Sequence, residues 1–178
     1  MTDILGVDIG LHGALAVVRI INSMPTFLAM TDMPAVGSGA RTRIDVHAVA
    51  AFLRQYPPSQ AVLEHTQAFP GQGRSSIFSF GRSTGTLETV LALHRIPIEI
   101  VQPSRWKQAL GLNSNKEDAR ALALRLYPAA AEQLRRKSDH GRAEALLLAH
   151  WFITRRTAGQ VGPARNSDQL KNLEAKNV

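Results

Sequence analysis

Apolar residues along this chain come in short runs before they come in helical stripes. Ile4 to Ile9 and Ala14 to Val18 form two runs separated by a Gly-containing turn, which predicts a hairpin of two strands. Thr26 to Met30 predicts a third strand, so the first three strands form a meander, and the Gly- and Pro-containing stretch from Pro34 to Arg43 reads as a mobile connection. Asp45 is placed to cap a helix in which Val46, Val49, Ala50 and Leu53 recur at helical spacing, ending before Pro57-Pro58. Gln60 to His65 predicts a short buried strand, and Ala68 to Arg74 a loop. From Ser75 a long helix runs through Ile77, Phe78, Phe80, Leu87, Val90 and Leu91. Gly81 and Gly85 within that helix suggest close packing against another backbone, which a partner subunit could supply. Pro97 to Gln102 is the last predicted strand. Helices are predicted at Pro103 to Leu110, Lys116 to Leu126 and Ser138 to about Arg156. The class is α/β, with a central five-stranded mixed sheet of three antiparallel strands followed by parallel additions and flanked by helices. A right-handed crossover makes strands one and four neighbours. Residues 1–158 form one domain, and 159–178, polar and without apolar periodicity, form a flexible basic tail.

Two of the apolar strands carry a carboxylate: Asp8 within the first, and Glu64 at the end of the fourth. No Lys or Arg occurs among the first eighteen residues, so an ionised Asp8 inside a sheet calls for a cation from elsewhere, and a metal ion is the economical source. A third acidic group comes from the start of the last helix. His140 and Glu144 are four residues apart, about 40° around a helix axis, and share a face; Asp139 lies at or just before the first turn and can bend toward the same point. Asp8, Glu64, Asp139 and Glu144 are hard oxygen donors suited to Mg²⁺ or Mn²⁺. Two ions about 4 Å apart would suit phosphodiester hydrolysis. Each has a plainer alternative: Asp8 as a turn residue, Glu64 as a solvent-facing strand end, Asp139 as a helix cap. His140 is open between ligand, water-orienting group and phosphate partner.

Charge indicates what such a centre would act on. The 178 residues carry 21 Lys+Arg against 14 Asp+Glu, a formal charge of +7, which favours a polyanionic partner. Five of those seven charges lie from Arg135 onward. The absence of cysteine excludes disulfides, thiolate nucleophiles and Cys-ligated zinc. With no signal-like N-terminus and no apolar span of membrane length, the expectation is a soluble cytoplasmic protein with no membrane association, nucleoid-associated or in the host cytoplasm if phage-encoded, an organelle being left open.

The strand GVDIG with Asp8, the strand AVLE with Glu64, the helix FGRSTGTLETVL, the segment VQPSRWKQALGL and the helix DHGRAEALLLA occur in one order. In that combination the chain resembles the RuvC-type Holliday junction resolvases of the RNase H-like superfamily, especially the shorter RuvC-like proteins of phages and organelles. The resemblance covers Ile4 to about His150. It implies a homodimer that binds a four-way DNA junction and nicks two strands symmetrically with Mg²⁺ or Mn²⁺, the Gly-bearing helix lying at the dimer interface. One departure stands out: the last two ligands of bacterial RuvC proteins are typically three residues apart, whereas Asp139 and Glu144 are five apart with Gly at 141. The fourth ligand is therefore open between Asp139 and His140.

The resemblance also implies that Lys107 stabilises charge at the scissile phosphate, and that Phe69 is a wedge stacking on a base at the branch point. Either could instead be structural, Lys107 on a solvated helix face and Phe69 as an apolar plug. Gln72, Arg74, Ser75, Arg82, Arg105, Lys107 and Lys116 are the candidate DNA contacts, since the stretch from His65 to Lys116 holds six basic residues against Glu88 and Glu99. Trp106 and Trp151 sit in apolar patterns and read as core. Three competing functions remain: an actin-like ATPase, which needs a second phosphate loop in a duplicated domain; a ribonuclease H acting on RNA/DNA hybrids; and a non-catalytic junction-binding protein.

Overall fold

Strand periodicity decides which residues of the sheet meet which helices. The structure, a computed structural model, describes residues 2–65, 71–113 and 115–160, leaving out the side chains of Lys116 and 157–160. Strands β1 (Thr2–Asp8), β2 (Ala14–Ile21) and β3 (Met24–Asp32) form the antiparallel meander. The connection after β3 holds more order than its composition suggests: a two-residue hairpin, β4 (Ala35–Val36) with β5 (Arg43–Ile44), around a 3-10 turn at Gly39–Arg41. Helix α1 (Val46–Gln55) follows, its first backbone N–H groups donating to the Asp45 carboxylate from His47 and Ala48 at 3.0 and 3.1 Å. Then come β6 (Gln60–Glu64), α2 (Arg74–Leu93), β7 (Ile98–Val101), α3 (Pro103–Ala109), α4 (Lys116–Leu126) and α5 (His140–Gln160).

The five-stranded sheet has the order β3-β2-β1-β6-β7. As expected, β1 and β6 are parallel neighbours, with Val7 opposite Leu63. Alternate residues of each strand enter different cores. Leu5, Val7, Ile9, Leu15, Val17, Ala61 and Leu63 pack with Val49 and Leu53 of α1 and Leu87, Val90 and Leu91 of α2. Ile4, Ala16, Val18 and Val62 pack on the other face with Trp106, Ala119, Ala123 and the long apolar flank of α5. By the same alternation Asp8 and Glu64 belong to the α5 face.

Helix α5 lies almost in contact with the β1 backbone. A Cβ built on Gly6 would stand 1.9 Å from the Ala145 carbonyl oxygen and 2.9 Å from the Ala149 nitrogen, so only a residue without a side chain lets the two backbones meet there. Leu146, Leu147 and Phe152 are fully buried around this seam, each contributing roughly 1.5–3 kcal/mol of hydrophobic stabilisation. The sequence-based start of the last helix is displaced slightly: Lys137–Asp139 form a 3-10 turn, and α5 begins at His140. On α2, a Cβ added to Gly81 or Gly85 would meet nothing within 4 Å beyond the helix's own backbone, and both glycines share a face with exposed Phe78 and Leu93. No helix among the described residues is long and apolar enough to cross a membrane.

The Gly6 contact gives a direct test. Gly6→Ala must push α5 from the sheet; urea unfolding should show a loss at or above the roughly 1–3 kcal/mol typical of core overpacking. An unchanged midpoint would mean that α5 does not rest on β1.

Candidate metal centre

Three carboxylates converge where β1 and β6 end beneath the first turns of α5. Asp8, Glu64 and Glu144 each offer an oxygen, and these oxygens lie within 4.8 Å of one another, all three residues being partly buried. Asp8 and Glu64 arrive as the C-terminal residues of adjacent parallel strands. Glu144 arrives because it precedes Ala145, whose carbonyl lies against Gly6. One turn earlier, Gly141 removes a side chain where a Cβ would stand 3.0 Å from Asp8 Oδ2 and 2.9 Å from the His12 carbonyl.

Charge compensation distinguishes this end of β1 from the other. The buried Asp3 carboxylate accepts two hydrogen bonds from its cross-strand neighbour Arg19, at 2.8 and 2.7 Å. Asp8 faces Ala14 across the same pair of strands, and alanine offers no charge. A cation reaches the cluster instead from α3: Lys107 Nζ donates to Glu144 Oε1 at 3.1 Å and lies 4.0 Å from Glu64 Oε1. Its neighbour Trp106 donates its indole N–H to Glu64 Oε1 at 2.9 Å. Burial raises the Glu64 pKa above its ordinary value, opposed by the Trp106 hydrogen bond and Lys107, while Glu144 adds to the rise. The all-oxygen donor set of the three carboxylates fits a hard divalent cation.

A cleft of about 280 Å³ opens beside Asp8, lined also by Gly10, His12, Gly13, Phe80, His140 and Glu144. His140 is thus at the cluster's edge, whereas Asp139 is not brought to it. Asp139 is buried in the turn before α5, where it accepts from the Arg136 backbone N–H at 2.7 Å and from its guanidinium at 2.9 Å. Burial pushes its carboxyl upward, but the Arg136 hydrogen bonds and charge outweigh this and hold it below the ordinary carboxylate range. As placed, Asp139 caps the turn and lies outside the group formed by Asp8, Glu64 and Glu144. A second clamp seats α5 on the meander, Arg142 gripping Asp32 at the end of β3 through two bonds of 2.5 and 2.6 Å.

The candidate DNA contacts fall into different environments. Arg74 and Ser75 are exposed at the start of α2, where Gln72 bonds to Ser76, and Arg105 is exposed on α3. Arg82 donates to the Thr42 carbonyl at 2.7 Å, tying α2 to the loop before β5, so its guanidinium is engaged within the fold. The Lys116 side chain, Phe69 and the tail beyond residue 160 lie outside the described residues. Trp106 does more than hydrophobic patterning indicated. It is core, as read, but its polar edge reaches the centre; its place one residue before Lys107 was the available signal.

No family model matches the sequence. A curated relative from Chlamydomonas reinhardtii, the chloroplastic Holliday junction resolvase MOC1, is 34% identical over 125 residues, 65% of this chain; the chain spans only 14% of that relative's length. Among solved structures, Thermus thermophilus RuvC in complex with a Holliday junction substrate superposes with a TM-score of 0.64 at 19% identity, covering 89% of this chain and 97% of that one. The fowlpox virus Holliday junction resolvase gives 0.57 at 17% identity, covering 86% and 98%. The chain has the RuvC-type, RNase H-like fold, and the resemblance read from its motifs is matched both in sequence and in structure.

The Asp139 assignment is measurable through stability. Because its native pKa is depressed, its contribution is present above the unfolded carboxyl value near ~3.9 and fades as pH falls through the native value. Asp139→Asn should therefore cost roughly 1–3 kcal/mol at neutral pH. In urea titrations the gap from wild type should begin to narrow below about pH 4 and close once pH is beneath the native value; a gap that persists in strong acid would rule out the ion pair as its source.

Proposed function

We propose that this chain is a structure-selective DNA endonuclease that resolves four-way junctions by paired symmetric nicks, through divalent-metal-dependent phosphodiester hydrolysis. The observation that carries this reading is the convergence of Asp8, Glu64 and Glu144 within 4.8 Å at the ends of two adjacent interior strands of an RNase H-like sheet. A relative named as a Holliday junction resolvase adds support over 65% of the chain.

Asp8, Glu64 and Glu144 would hold Mg²⁺ or Mn²⁺, two ions per site, with His140 at the cleft edge as the candidate further ligand. Such ions, when bound, supply charge stabilisation for the attacking and leaving oxygens of a phosphodiester. The remaining work falls to side chains of this chain. Lys107, which neutralises part of the cluster, is partly exposed and can turn its ammonium toward the phosphate undergoing substitution. Arg74, Ser75 and Arg105, exposed beside the cleft-forming elements, and Lys116 would contact phosphates irrespective of sequence, giving strongly salt-dependent affinity. Gln72 and Phe69 would meet the branch point, Phe69 by stacking. The fold employs Arg82 internally, so its contribution to DNA would be indirect.

Paired nicks require two active sites. A second copy of this chain on the open face of α2 would bury Phe78, Leu93, Gly81 and Gly85, and supply the backbone that those glycines lack within one copy. Phe78→Asp should convert a dimer into a monomer in sedimentation equilibrium and turn paired nicks into single ones; a variant that remains dimeric would place the interface elsewhere.

The decisive assay compares cleavage of a four-way junction, a linear duplex and an RNA/DNA hybrid by purified protein with added Mg²⁺. Preferred cutting of the junction is expected, and preferred cutting of the hybrid would make the chain a ribonuclease H. Asp8→Asn should retain junction affinity in chelator while nicking falls by about a thousandfold or more, the loss expected when several kcal/mol of metal-derived stabilisation disappear. Normal nicking would remove Asp8 from the chemistry.

A further inference from the structure

Trp106 is 1% exposed, among the most deeply buried large side chains of the fold. A buried indole needs an acceptor for its N–H. Here that acceptor is not a neighbouring turn but Glu64 Oε1, 42 residues earlier in the chain and 2.9 Å away. The ring packs in the core on the α5 face, so apolar contact alone would be met by phenylalanine; the N–H is what tryptophan adds. Lys107, the next residue, contributes charge to both Glu64 and Glu144. Trp106 contributes direction, because an N–H···O bond constrains where the carboxylate points while an ammonium at 4.0 Å does so weakly.

We propose that Trp106 is a positioning residue: its indole N–H holds Oε1 of Glu64 and thereby presents that carboxylate, together with Asp8 and Glu144, in a geometry ready to receive a divalent cation. The inference rests on the reading of those carboxylates as a cation site and extends it to a residue that touches neither cation nor DNA. Without the donor, the flexible glutamate has to be ordered at the moment of binding, at the expense of affinity. Partners that orient metal ligands in this way are typically worth about 10- to 100-fold in metal affinity.

The experiment titrates Mn²⁺ into the full-length protein by calorimetry and electron paramagnetic resonance, in wild type, Trp106→Phe and Trp151→Phe. Trp151, also buried on the α5 face, controls for loss of a large ring. A further protein carries benzothienylalanine at position 106, which keeps the ring shape and replaces N–H by sulfur; it decides the matter if Trp106→Phe does not fold. Both position-106 changes should weaken Mn²⁺ binding by about 10- to 100-fold, and Trp151→Phe should not. The Mg²⁺ concentration for half-maximal junction nicking should rise in parallel, with the rate recovered at saturating Mg²⁺. Unchanged Mn²⁺ affinity in the folded benzothienyl protein would overturn the role of Trp106 while leaving the cation site standing. Wild-type protein that takes up no Mn²⁺ would overturn the cation site itself.

Discussion

The contact between Gly6 and the Ala145 carbonyl governs both stability and chemistry in this fold. A helix and a strand normally hold each other at side-chain distance, and the 1.9 Å that a Cβ would leave at Gly6 shows how far that spacing has collapsed. Glu144 is the residue next to the contact. The seam that buries Leu146, Leu147 and Phe152 therefore also determines how near the Glu144 carboxylate comes to those of Asp8 and Glu64. Gly141 repeats the arrangement one turn away, where the α5 backbone comes close to Asp8 itself.

Such proximity concentrates negative charge, and the carboxylates around β1 and the start of α5 are handled in three ways. Asp3 and Asp139 each have an arginine partner in bidentate or near-bidentate contact. Asp32, more exposed, joins α5 to the meander through Arg142. In the cluster, Glu64 accepts the Trp106 indole N–H and Lys107 reaches both Glu64 and Glu144, and the pKa of Glu64 rises because burial outweighs the Trp106 bond and Lys107. Three carboxylate oxygens within 4.8 Å of one another, one of them on a residue whose pKa burial raises, form the kind of donor set an ion-binding centre requires.

Much of this arrangement was legible in the residues. The parallel pairing of β1 with β6 followed from the order of apolar runs and the handedness of the crossover, and Asp8 and Glu64 fell on one face because strand alternation is strict. Three features were not legible, for different physical reasons. A carboxylate just before an apolar helix looks the same whether it caps the turn or binds a metal; at Asp139 the cap is completed by Arg136, three residues earlier, which donates its backbone N–H and its guanidinium. The β4–β5 hairpin has two residues per strand, too few for any period to register. The hydrogen bond from Trp106 joins residues 42 apart, and hydrophobic patterning counts tryptophan only as bulk.

The division of β1 between two cores has an evolutionary consequence. A connection away from the carboxylates, such as the turn joining β2 to β3, can lengthen without moving a carboxylate off its face, whereas deleting a single residue between Gly6 and Asp8 would swing the aspartate to the side packed by α1 and α2. Descendants of this chain are thus free to vary the rims of the sheet while the spacing inside its two central strands stays locked, so that new substrate preferences must arise at the periphery of an unchanging core.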